Sequence, residues 1–102
     1  MLTAGFSTLG FPGRPVADVL ATATRHGAGL VQLRVADDEP VHVGLSPAER
    51  RDVRDQFAAA GVGLAALATY VRLSDADLAA PLAAHVELAA DLGAPALRLF
   101  PG

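Results

Sequence analysis

The sequence predicts an α/β fold in which four parallel strands alternate with three helices, in the order β-α-β-α-β-α-β. Three observations predict it. "GAGLVQL" (Gly27 to Leu33), "GVGLAAL" (Gly61 to Leu67) and "GAPALRL" (Gly93 to Leu99) repeat one pattern: glycine, small residue, glycine or proline, then an apolar run. The leading glycines stand 34 and 32 residues apart, the length of a strand, a helix and two loops. Between them lie segments with apolar residues at helical spacing and capping residues at their ends.

The elements follow in chain order. A first strand precedes Ser7 and Thr8. The first helix takes Pro15 at its first position, where a missing N–H removes no helix bond, and carries a stripe of Val16, Val19, Leu20 and Ala23 before Gly27 ends it. In the second strand, "LVQLRV", Val31, Leu33 and Val35 share one face while Gln32 and Arg34 share the other. The second helix opens at Ser46-Pro47-Ala48-Glu49, a capping box with proline at its permitted place, and presents Val53, Phe57 and Ala60 before Gly61. The third strand follows Gly61 and runs toward Thr69 and Tyr70. The third helix carries Leu82, Val86, Ala89 and Leu92 before Gly93, with Pro81 in its first turn because a proline further in would remove a backbone bond. The fourth strand is Ala96 to Phe100, with Leu97 and Leu99 opposing Arg98, and Pro101-Gly102 opens a loop.

Side-chain parity bears on the architecture. A doubly wound sheet is covered by helices on both faces and wants continuous apolar strands, whereas a barrel keeps its helices outside and gathers polar side chains at its C-terminal mouth. Gln32, Arg34 and Arg98 favour the barrel. The open sheet, with Arg34 and Arg98 flanking strand ends in solvent, is the alternative. Four strands do not close a (β/α)8 barrel, so the expected fold is a partial (half) TIM barrel. Residues 1–102 then form a single N-terminal half-barrel segment, truncated relative to the full barrel.

Composition narrows the function. The net charge is −3, and all eight basic residues are arginines, without a cluster beyond Arg50-Arg51-Arg54; a nucleic-acid groove is not expected on that footing. With no cysteine and no lysine, thiolate metal sites, thiol nucleophiles, Schiff bases and a P-loop lysine are excluded. No apolar run approaches the roughly 20 residues of a membrane span, and the N-terminus lacks the basic start of a signal peptide. A soluble, cytoplasmic protein without membrane or nucleic-acid partners is expected.

Three stretches carry a resemblance: "GFSTLGFPG…PVADVLATATRHGAGLVQLRV", "EPVHVGLSPAERRDVRDQFAAAGVGLAALATYVRL" and "LAAHVELAADLGAPALRLFPG". In order and spacing they resemble the first half of the sugar phosphate isomerase/epimerase family, the xylose-isomerase-like TIM barrels. The resemblance implies a barrel that uses a divalent metal to move a proton on a sugar or hydroxy-carbonyl compound. It also implies that the metal ligands, Glu, Asp, His and Glu, come from strands of the second half. This chain alone is then expected to hold no metal or other cofactor and to be inactive. It departs from the family at Gln32, where a glutamate often precedes Leu-Arg; a glutamine takes no proton.

No catalytic residue is named from this half. Candidate substrate-side residues are Arg34, whose planar fork suits a phosphate or carboxylate, His42 in the loop before the second helix, Ser7, Tyr70 and Arg98. Each has a plainer alternative: a structural ion pair for Arg34, a solvated loop histidine for His42, a solvent-facing strand end for Arg98, turn or cap chemistry for Ser7, Thr8, Thr69 and Tyr70. Asp37-Asp38-Glu39 with His42 could be drawn as a metal site, but successive acids in one loop rarely converge on one ion. His26 and His85 fall to surface or helix-end roles.

Three function classes follow. The first is the N-terminal half of an isomerase or epimerase barrel with a small anionic sugar ligand. The second is a non-catalytic half-barrel that self-associates as a homodimer or pairs with a separate C-terminal half. The third is a nucleotide-binding α/β module using "GFSTLGFPG", although Gly5, Gly10 and Gly13 do not make G-x-G-x-x-G. An open half-barrel should leave Phe6 or its neighbours, Ala66, Ala68 and Phe100 facing water, with unpaired edges at the first and fourth strands.

Overall fold

The computed structural model describes residues 5–7, 15–72 and 76–100, with 5–7 and 100 described as backbone. The chain runs β1 (Gly5–Ser7), α1 (Val16–Arg25), β2 (Leu30–Arg34), α2 (Pro47–Ala60), β3 (Gly63–Arg72), α3 (Ala79–Leu92) and β4 (Leu97–Phe100). All three strand pairs are parallel and the spatial order is β1-β2-β3-β4. Each strand therefore pairs with its successor in the chain, and no crossover reverses direction along the sheet. Crossovers of one hand then lay every helix on the same side.

The core agrees. Val16, Val19, Leu20 and Ala23 of α1, Val53 and Phe57 of α2, and Leu88, Ala89 and Leu92 of α3 join Val31, Leu33 and Leu67 of the strands in one apolar cluster. In α1 the expected stripe is buried in full. Pro15 precedes the first helical residue and serves as its N-cap, one place earlier than expected, and its carbonyl accepts from Asp18 and Val19. In α2 the capping box is complete: Glu49 N–H donates to Ser46 Oγ at 3.1 Å and Ser46 N–H to Glu49 Oε1 at 2.8 Å. Gly27, Gly61 and Gly93 follow the three helices with φ between 68° and 77°, the left-handed region where a side chain would be strained. That conformation explains why the repeat begins with glycine.

Three expectations need correcting. Ala60 is exposed, and Arg50 takes the buried place beside Val53 and Phe57. Ala89 and Leu92 of the expected α3 stripe are buried, but Val86 is 52 % exposed and Leu88 is fully buried in its stead. The cause is composition: α3 is apolar on nearly every side, and spacing alone does not say which side meets the sheet. Ala66 and Ala68 are buried instead of facing water. Ala66 lies beside Gln32, and Ala68 lies between Arg34 and Arg98 on its two neighbouring strands, so longer side chains flank each small one. Phe6 and Phe100 of the same expectation have side chains outside the described residues, and Thr8, Gly10 and Gly13 lie outside them altogether.

Candidate functional site

Strand alternation sends Val31 and Leu33 to the helices and Gln32 and Arg34 to the opposite face of the sheet. In register, Gln32 stands beside Ala66 and Arg34 beside Ala68, while Ala68 stands beside Arg98. Parallel pairing thus brings residues 66 positions apart in the chain, Gln32 and Arg98, onto one surface. Tyr70 joins them through its hydroxyl. Alternation is broken in β2 and β3 pairing between Val31 and Gln32, where β3 carries one extra residue.

Arg34 is the hub. Its Nε–H donates to Tyr70 Oη at 2.6 Å and Nη1 to Glu39 Oε1 at 2.6 Å, with Asp38 Oδ1 further off at 3.4 Å. The guanidinium carbon also lies 5.1 Å from the centroid of the Tyr70 ring, within cation–π range. The hydrogen bond to Tyr70, followed by that to Glu39, holds the Arg34 pKa well above the ordinary arginine range, against the opposing effect of desolvation. The cation is permanent. Glu39 is buried and Asp38 is largely solvated, so the former carries the anchoring contact.

The structure places the other candidates as follows. Arg98 is exposed and reaches Gln32 Oε1 at 3.5 Å, the outer limit of a hydrogen bond. Ser7 stands beside Gln32 in the β1–β2 register, and its side chain lies outside the described residues. His42 sits in the turn before α2, where its Nδ1 accepts from Gly44 N–H at 3.0 Å. A β-carbon at position 44 would meet that ring at 3.0 Å, so glycine permits the turn.

Thr69 and Tyr70 lie within β3, which is longer than expected, and not after it. Buried Thr69 donates through Oγ1 to the Arg98 carbonyl at 2.9 Å and accepts from Val71 N–H at 3.3 Å. It fills the irregularity between Ala68 and Arg72 in the β3–β4 register with its own bonds. His26 follows α1 as its C-cap, and His85 Nδ1 lies 2.7 Å from the Pro81 carbonyl on the exposed side of α3.

Sequence reasoning missed three residues. Glu39 reads as one of three successive loop acids that rarely converge on one ion, yet it is buried against Arg34. Arg50 reads as part of a charged run, yet it is buried, donating through Nε to the Leu45 carbonyl, through Nη2 to the Val43 carbonyl and through Nη1 to Asp91 Oδ2. Only the approach of α3 reveals its role. Gln32 reads as a lost proton carrier, but its Nε2 is buried and has no hydrogen-bond partner among the described residues.

The face of Gln32 and Arg34 therefore offers hydrogen-bond donors and one phenol to an oxygen-rich ligand. The carboxylates of Asp38 and Glu39 both contact Arg34. Among the described residues no group of three or more His, Cys, Asp or Glu comes together. No described helix is long and apolar enough to cross a membrane. No protein-family model matches the chain, and no curated protein is found as a relative.

Proposed function

We propose that the chain is the N-terminal, substrate-side half of a (β/α)8 barrel whose parent reaction is metal-assisted proton transfer on a sugar or hydroxy-carbonyl compound, as in sugar phosphate isomerases and epimerases. The observation that carries this reading is the placement of Gln32, Arg34, Tyr70 and Arg98 on the helix-free face of a sheet whose strands follow in sequential order. Sequential order with helices on one side supports a barrel segment over a doubly wound sheet, which reverses its strand order at a switch point. In a closed barrel that face lines the interior, and its polar groups lie where substrate is held.

The metal and the proton-carrying carboxylate belong, in this reading, to strands of a second half. This half binds and orients. Reading the gene beyond Gly102 tests the proposal: further βα units with Glu, Asp and His at strand C-termini support it. A stop codon, with no separately encoded second half, contradicts it. The isolated chain should show no metal-dependent sugar epimerisation; turnover above background that a chelator abolishes would contradict the division of labour.

A second reading is a half-barrel that completes itself by pairing with another copy. Val86, Ala89, Ala90, Ala94 and Leu97 line an apolar groove between α3 and the edge strand β4. Rotating a second copy half a turn about the barrel axis keeps all strands parallel and brings its β1 to this β4, giving eight strands without a free edge.

A further inference from the structure

Arginine 34 is the obvious anion clamp on the inner face, but its guanidinium already holds a buried carboxylate. Glu39 at 2.6 Å, with Asp38 beside it, balances its charge, and an incoming anion would have to displace them. Arg98 differs. It is exposed, and its hydrogen bond to Gln32 Oε1 is long at 3.5 Å.

Gln32 completes the contrast. Oε1 accepts from Arg98, and Nε2 of the same amide is buried and without an acceptor among the described residues. Flipping the amide would set donor against donor at Arg98, so the network itself selects this orientation. An orphaned buried donor is costly, and a native structure supplies it with a water, an ion or a ligand atom.

We propose that Gln32 and Arg98 form the anion-recognition pair of this face, taking the oxygens of a phosphate or carboxylate group on a small hydroxy-carbonyl ligand. The anion draws the Arg98 guanidinium from its long contact with Oε1 and takes its fork of donors. A second oxygen accepts from Gln32 Nε2 and supplies the missing partner. Arg34 is then a positioning residue, holding Tyr70 through Nε. This inference rests on the barrel reading for the ligand's class, but the anion site itself needs only the chain as it stands.

The test is a titration of the full 102-residue chain followed by NMR of its side-chain N–H groups. Inorganic phosphate and glycolate serve as separate probes and distinguish a phosphoryl from a carboxylate ligand. Expected is a saturable, joint shift of the Gln32 amide and the Arg98 Nε–H with at least one probe, while the Arg34 Nε–H stays in place. Arg98→Ala should weaken that binding about tenfold or more. Gln32→Glu should abolish it by placing a negative charge at the site, and Gln32→Met should weaken it with the packing kept. Each variant is accepted only with wild-type backbone amide dispersion.

Saturable binding that moves Arg34 instead of Arg98, or that Gln32→Met leaves unchanged, would overturn the pair while leaving the barrel reading intact. Absence of saturable binding by both probes would overturn the site. The barrel reading falls on different grounds, the downstream gene and the association state.

Discussion

Arg34 Nη1 lies 2.6 Å from Glu39 Oε1, and the carboxylate is buried while the neighbouring Asp38, on the same guanidinium, is solvated. The pair fixes the loop after β2 to the inner face and through Arg34 Nε orients Tyr70. A buried partner is costly to remove because the charge it leaves behind is uncompensated, whereas an exposed partner is replaced by water. Glu39→Gln should therefore destabilise the chain clearly more than Asp38→Asn in urea unfolding. Equal midpoints for the two variants would show that the buried contact carries no special weight.

The capping box of α2 makes a pH-dependent contribution. Hydrogen bonds from the Ser46 backbone and hydroxyl groups hold the Glu49 carboxyl below its ordinary range. Because its folded pKa is depressed, the stabilisation is fully present above the unfolded value and is lost as pH falls through the folded one. The stability gap between the wild type and Glu49→Gln should thus be widest near neutrality and close under acid conditions. Ser46→Ala should cost about 1 kcal/mol at neutral pH. A gap that grows on acidification would reverse the assigned sign.

Arg50 predicts a larger loss. Its three donors hold the Val43 and Leu45 carbonyls and Asp91, tying the loop before α2 to α3. Arg50→Ala should cost on the order of 2–3 kcal/mol, and Arg50→Lys should recover little, since an ammonium lacks the planar fork that reaches all three. Wild-type chemical denaturation of the lysine variant would show that charge alone suffices.

These contrasts mark how far the sequence was legible. The capping box, the full stripe of α1 and the alternation of Val31, Leu33 and Val35 against Gln32 and Arg34 depend on neighbours in the chain, and local spacing exposes them. Arg50 and Glu39 depend on partners that only tertiary packing or a loop reversal supplies, so each reads as one more charge in a polar run. In α3, alanine and leucine occupy most positions on every side, and periodicity carries little information about Leu88 against Val86. Arg34 and Arg98 were legible as polar residues of one sheet face, but their contacts were not, because they follow from where Glu39 and the Gln32 amide lie.

Leu88 and Val86 turn that last point into a measurement. Leu88 is fully buried among the α2, α3 and strand side chains, and Val86 stands half exposed beside β4. Leu88→Ala should cost about 2–5 kcal/mol. Val86→Ala should change the stability of the single chain by no more than about 0.5 kcal/mol. A Val86→Ala loss as large as that of Leu88→Ala, at a concentration where the chain is monomeric, would place Val86 in the packed interior of the chain.

The half-barrel proposed for this chain leaves β1 and β4 as edges for a partner to cover. Sedimentation equilibrium of the isolated 10.4 kDa chain at micromolar concentration tests it most directly. Expected is at least twice the chain mass, and Val86→Asp, which sets a charge in the groove beside β4, should shift the population toward monomer while leaving the circular dichroism unchanged. A compact monomer that unfolds cooperatively and is indifferent to Val86→Asp would contradict the half-barrel and return the chain to an open α/β sheet.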